Sequence, residues 1–149
     1  MRTTRLGKTE LLVTEPGFGG IPIIRLDKDE AVDVVRHCFE RGITFFDTAN
    51  VYGDSEKKIG EALEPVRDRV VFATKTLARD AETAADHITY SLENLRTDCI
   101  ELYQIHNIAN DEALDAVLAP GGAYEAIERA RAEGKVKCIG LSSHNIATA

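Results

Sequence analysis

GITFFDTANVYGDSEKKIGEAL, residues 42–63, reads as a strand, a loop and a helix in that order. Residues 43–47, "ITFFD", form a short apolar run of aromatic and β-branched residues, the composition of a strand buried on both faces, and Asp47 stands at its C-terminal end. "SEKKIGEAL" places Ile59, Ala62 and Leu63 on one side of a helix, and Pro65 limits how far that helix runs. The connecting loop, Thr48 to Asp54, carries Asn50 and Tyr52.

The same unit recurs on either side. Upstream, Asp27 with Glu30 matches a capping box, and Ala31, Val34, Val35, Cys38 and Phe39 follow at helical spacing until Gly42 stops them. "FGG" at Phe18 to Gly20 reads as the end of a first strand, and Leu6-Gly7 with "LLVT" as a small hairpin or cap before Pro16 and Gly17. Downstream, "RVVFATK" is a strand ending in Lys75, and Ala84, Ile88, Leu92 and Leu95 form a helical stripe. "CIELYQIH" is the next strand and ends in His106. A short helix around Leu114 to Leu118, a turn at Pro120-Gly121-Gly122 and a helix with Ala123, Ala126, Ile127 and Ala130 inward lead to Gly134 and the strand "KVKCIGLSS". Glu101 conflicts with a strand covered on both faces, so it lies near an edge or pairs with a base. Strand and helix thus alternate with short connections, which predicts an α/β fold: a parallel sheet of about five strands with four helical crossovers.

Each crossover returns the chain to the same side of the sheet, so Asp47, Lys75, His106 and Ser142 are expected along one edge, where active sites of such sheets collect. Singly, each has an ordinary use: a cap, a solvated strand end, a hydrogen-bonded imidazole. Together with Tyr52 they supply an acid, an ammonium, a phenol and an imidazole at one mouth. An ammonium beside the phenol is expected to favour phenolate and lower the tyrosine from its reference near 10.

The 149 residues, 44% hydrophobic and 29% charged, fit one globular domain on a prior of about 100 to 200 residues per domain. A formal charge of −7 without a compact basic patch argues against nucleic acid as a partner. Cys38, Cys99 and Cys138 lie far apart, show no metal or redox spacing and fit a reducing compartment. No stretch reaches the roughly 18 apolar residues of a membrane span, and "MRTTRLGKTELLV" lacks a signal-peptide core, so a soluble cytoplasmic protein is expected. "GFGG" and "PGG" do not have the spacing of a dinucleotide fingerprint.

Taken in order, "GITFFDTANVYGDSEKKIGEAL", "VVFATK", "ELYQIH" and "GKVKCIGLSS" resemble consecutive signatures of the aldo-keto reductases, from about residue 3 to about residue 145. The resemblance implies a TIM-type (β/α)8 barrel and a nicotinamide cofactor, usually NADPH with NADH as the other form, and no metal. It implies a tetrad of Asp47, Tyr52, Lys75 and His106 that reduces aldehydes or ketones: hydride passes to the carbonyl carbon while Tyr52 protonates the oxygen. In that scheme Lys75, paired with Asp47, favours Tyr52 ionisation, and His106 orients the carbonyl. Gly19, Gly20 and Asp47 are expected near the nicotinamide, with Ser142 and Ser143 where the family usually has Ser-Asn at its carboxamide. The second position departs from that pattern, and Asn145 is a substitute from the next turn. A tight turn at Gly19-Gly20, and structural roles for the serines, remain open alternatives.

A complete barrel takes about 250 residues, so residues 1–149 are expected to form a partial barrel of strands one to five, with strands six to eight absent. Open strand edges then predict homo-oligomers or domain-swapped assemblies. Beside the enzyme stand two alternatives: a non-catalytic barrel-derived binding or regulatory subunit, and an inactive half-barrel remnant lacking the cofactor phosphate site.

Overall fold

A computed structural model describes residues 1–145. The N-terminal hairpin pairs β1 (Arg2–Arg5) with β2 (Leu12–Glu15) antiparallel, with Arg2 and Glu15 opposite each other and ion-paired. The main sheet is parallel, in the order β3 (Phe18–Gly19), β4 (Phe45–Asp47), β5 (Val71–Thr76), β6 (Ile100–Ile105) and β7 (Val136–Leu141). Sequence order equals spatial order, so each crossover moves one position along the sheet and the C-terminal strand ends share one edge.

The crossovers are α1 (Lys28–Glu40), α2 (Ser55–Leu63), α3 (Ala81–Asn94) and, in the last connection, α4 (Asp111–Leu118) followed by α5 (Ala123–Ala132). Local chemistry sets their limits. Asp27 accepts the Glu30 N–H at 2.9 Å, Asp80 accepts that of Thr83 at 2.8 Å, and Asn110 that of Ala113 at 2.9 Å, each satisfying a donor the helix itself leaves unpaired. Gly42 and Gly134 follow α1 and α5 with φ of +96° and +79°, which a residue with a Cβ adopts only under strain. After α2 the chain tightens into a 3₁₀ segment, Glu64–Arg69, so β5 begins at Val71 rather than Arg69. None of the helices among the described residues is long and apolar enough to cross a membrane.

The two faces of the sheet differ. Phe46, Phe72 and Tyr103 project into the helix layer and are at most 1% exposed, packed with Val35, Ile59, Leu63, Leu95 and Ile127. Burial of each such side chain contributes about 1.5–3 kcal/mol. On the opposite face Phe45, Val71, Leu102, Gln104 and Cys138 are half-buried. Burial therefore alternates with period two from Glu101 to Ile105 of β6, where a strand covered on both faces would be apolar throughout. Glu101 belongs to the helix-facing set. The edge placement considered for it is wrong, because β6 lies between β5 and β7. The pairing with a base holds: its carboxylate accepts from Arg67 at 2.7 Å and Lys137 at 3.0 Å, and also from the Phe72 N–H at 3.0 Å. Those partners offset the desolvation of a carboxylate that is 5% exposed.

Candidate active site

Strand register brings the proposed groups together. Asp47 is paired with Gly19 on one side and Ala73 on the other, and Lys75 with Gln104. Side chains at alternate positions share a face, so Asp47, Lys75 and Gln104 all project to the half-buried side, at its C-terminal end. Lys75 Nζ donates to Asp47 Oδ1 at 2.5 Å and to the Thr48 carbonyl at 2.6 Å. Lys75 is buried and Asp47 33% exposed, so the ammonium depends on these two acceptors while the carboxylate keeps partial hydration. Gln104 Nε2 donates to Asp47 Oδ2 at 3.4 Å.

The Tyr52 loop is anchored by main-chain bonds that extend the β4–β5 ladder: Thr48 N–H donates to Ala73 O at 2.8 Å and Asn50 N–H to Lys75 O at 3.0 Å. A turn then closes from Tyr52 N–H to Ala49 O at 3.0 Å and hands over to α2 through Ser55 N–H to Tyr52 O, also 3.0 Å. The Tyr52 ring lies with its centroid 5.4 Å from Lys75 Nζ. It stands edge-on to the His106 imidazole, with centroids 6.0 Å apart and planes at 82°.

The electrostatics of Tyr52 differ from expectation. Its hydroxyl is held above the ordinary phenol value, first by burial and second by the Asp47 carboxylate. Lys75 does not lower it, because its ammonium is turned to Asp47 and Thr48 and meets the phenol through the ring face. His106 is shifted the other way, below the ordinary imidazole value, by burial first and then by the Lys75 charge, with Asp47 opposing. A protonated phenol and a neutral imidazole are therefore the forms present near pH 7.

His106 N–H donates to Thr76 O at 2.8 Å, which continues the β5–β6 ladder and fixes the residue just past the strand end. Its Nδ1 lies 2.6 Å from Ser142 Oγ, which also accepts the Asn107 N–H at 3.2 Å. Ser143 Oγ donates to Ile108 O at 2.6 Å and accepts the Asn145 N–H at 2.9 Å, so its single proton is committed within the protein. Gly19 and Gly20 play different parts. A Cβ on Gly19 would meet nothing within 4 Å, whereas one on Gly20 would fall 2.6 Å from Ser55 Oγ and 3.1 Å from the Asp47 carbonyl. Gly20 allows β3 to approach the start of α2: its N–H donates to Asp47 O at 2.7 Å, and its carbonyl accepts the Ser55 hydroxyl at 2.9 Å.

Four side chains escaped the sequence reading. Gln104 precedes His106 by two residues on a strand, and that period was the available signal. Thr48 and Ser55 join hydroxyls at 2.9 Å across the ends of the Tyr52 loop, and only the folded loop brings them together. Arg79 donates to the His106 carbonyl at 2.9 Å, a contact without any local pattern.

The family model described as "Aldo/keto reductase family" matches residues 17–149. An uncharacterized oxidoreductase, YqkF, of Bacillus subtilis is 30% identical over 157 residues, covering 96% of this chain and 49% of the relative. L-galactose dehydrogenase of Arabidopsis thaliana is 34% identical over 152 residues, covering 92% and 47%. Among solved structures, the holo form of an aldo-keto reductase from Bacillus halodurans superposes with a TM-score of 0.82 at 29% identity, over 97% of this chain and 51% of that one. An aldo/keto reductase of Klebsiella pneumoniae in complex with NADP and acetate gives 0.78 at 26% identity, over 93% and 48%. The chain spans about half the length of the relatives it matches, so its five-stranded sheet is a partial TIM barrel. A match beginning at Gly17 takes in every strand of that sheet and each of the groups at its C-terminal edge, and this chain belongs to the aldo/keto reductase family.

Proposed function

We propose that this protein contributes the catalytic half of an NAD(P)H-dependent reductase acting on small aldehydes or ketones. The observation that carries the reading is the convergence at one sheet edge of the Asp47–Lys75 pair, the Tyr52 ring and the His106 imidazole. A reduced nicotinamide bound at this mouth would supply the hydride. The residues fit such a group: beside Gly19 the space is open, Asp47 is partly exposed, and the Tyr52 hydroxyl and His106 Nε2 have no hydrogen-bond partner among the described residues. Gly19, Asp47 and Ser142 would hold it, with Gly20 and Ser143 bracing the backbone around them. The Klebsiella relative in complex with NADP favours NADPH over NADH as the first cofactor to test.

Tyr52 is the proton donor, and its raised proton affinity keeps the proton in place until negative charge develops on the carbonyl oxygen. Lys75, fixed by Asp47, sets its ammonium against the Tyr52 ring and holds the phenol at the mouth. Ser142 Oγ accepts the Asn107 N–H, and in this reading it directs its own proton to His106 Nδ1. The neutral ring then carries its proton on Nε2, a donor to the carbonyl oxygen. Three free thiols suit a reducing, cytoplasmic setting. The uncovered sheet edges suit association with another chain.

The test is carbonyl-dependent oxidation of NADPH, followed by absorbance with a panel of aldehydes, paired with a fluorescence titration of the cofactor. Tyr52→Phe is expected to lower turnover by about 10² to 10⁴-fold with cofactor affinity nearly unchanged. Wild-type turnover in that variant refutes the assignment. Tight cofactor binding with no turnover in the wild-type protein would favour the non-catalytic subunit.

A further inference from the structure

Arg79 lies next to Asp80, the residue that caps α3, in the loop that leaves β5 at the candidate site. No carboxylate pairs with its half-buried guanidinium among the described residues; four main-chain carbonyls do. Nη2 donates to His106 O at 2.9 Å and Asn107 O at 3.0 Å, and Nη1 to Leu77 O at 3.2 Å and Ala78 O at 3.3 Å. One charged group thus joins the loop after β5 to the loop after β6.

Successive carbonyls of an extended chain point to opposite sides. Those of His106 and Asn107 converge on one nitrogen because Asn107 has φ +57°, a left-handed conformation that asparagine tolerates better than most residues with a Cβ. The Asn107 N–H then reaches Ser142 Oγ, the atom that also touches His106 Nδ1. Backbone turn and imidazole orientation therefore share one hydroxyl, and the guanidinium fixes the turn.

We propose that Arg79 is a positioning residue for His106: its planar fork holds the His106–Asn107 turn so that the imidazole keeps its edge-on station against Tyr52. This rests on the reading of His106 as the group that meets the carbonyl oxygen. Lysine cannot replace the fork, since a single ammonium does not present two nitrogens to carbonyls on two different loops. A different role for the same segment is visible. The Ala81 N–H donates to Gly121 O at 2.8 Å and the Ala123 N–H to Arg79 O at 2.9 Å, which ties α3 to α5. Those bonds use main chain only and survive loss of the guanidinium.

Arg79→Lys and Arg79→Gln, compared with wild type by amide hydrogen exchange, separate the two roles. Exchange at His106, Asn107 and Ile108 is expected to quicken by at least about tenfold in both variants, the loss of charge-assisted hydrogen bonds, while Ala81 and Ala123 stay protected. Unchanged exchange at 106–108, or equal loosening at Ala81 and Ala123, overturns the proposal. In the same variants kcat for carbonyl reduction is expected to fall about tenfold to a hundredfold with KM for NADPH unchanged. Rescue by lysine, or wild-type kcat in both, overturns it as well. A wild-type protein that reduces no carbonyl refutes the reductase reading instead, and the exchange pattern then decides the clamp alone.

Discussion

At the scale of single residues, the site is governed by how each charge is partnered. The Lys75 ammonium beside Tyr52 would lower a phenol if it faced the hydroxyl; pinned by Asp47 and Thr48 it does not, and burial dominates. His106 carries a measurable consequence. Its folded-state value lies below the ordinary 6.5, through burial and the facing charges of Lys75, His144 and Arg79 against Asp47. As pH falls through 6.5 the unfolded chain takes up a proton before the folded one does, so stability declines until the lowered folded value is passed and levels off below it. Two-dimensional NMR titration of the His106 ring is expected to give a midpoint under 6.5, and urea unfolding a smaller stability at pH 5.5 than at pH 7. A midpoint above 6.5 would show that Asp47 outweighs burial. That Asp47, Lys75 and His106 share one edge was legible in the sequence because each ends an apolar run, whereas Tyr52 lies in the loop beyond Asp47 and its grouping with them as a tetrad came from the family resemblance. The direction of the Tyr52 shift was not legible, since it depends on where one ammonium points.

Elements are placed by a few close approaches. α2 and α3 meet where Gly60 faces the end of α3: a Cβ there would fall 2.2 Å from Asn94 O and 2.7 Å from Leu95 Cα. Both contacts are backbone and cannot rotate away. Gly60→Ala is therefore expected to destabilise the fold by about 1–3 kcal/mol, although alanine favours an isolated helix over glycine. Thermal or urea unfolding checks this, and an unchanged or raised midpoint would mean that the helices part freely. Because α2 begins at Ser55, which bonds Gly20 and Thr48, the same variant is expected to disturb the Tyr52 loop. Helix starts at Asp27, the stripes on α3 and α5 and the glycine stops were readable from periodicity and capping chemistry. Arg79 was unreadable, because its partners His106 and Asn107 become neighbours only when β5 and β6 pair.

The whole molecule is a parallel sheet with one face sealed by helices and the other half-buried. β3 and β7 form its edges, and Phe18, Phe45, Val71 and Leu102 are only partly covered on the described residues, with Leu141 exposed on β7. Unpaired ladder groups next to apolar side chains favour association. The 149-residue chain purified alone is expected to self-associate at micromolar concentration, as read by native mass spectrometry and sedimentation; a stable monomer would contradict this. The order of strands and helices and the edge on which the reactive groups gather were determined by the sequence itself, because apolar periodicity, caps and right-handed parallel connections are local and nearly obligatory. Tertiary structure alone decided the rest: Gln104 reaches Asp47, Ser142 holds the His106 ring, Ser143 bonds Ile108, and the ammonium of Lys75 turns from the Tyr52 hydroxyl to a carboxylate and a carbonyl. These depend on distances between strand ends far apart in the chain, and a hydrogen bond or a field at a phenol changes over an ångström or two, which no spacing along the sequence specifies.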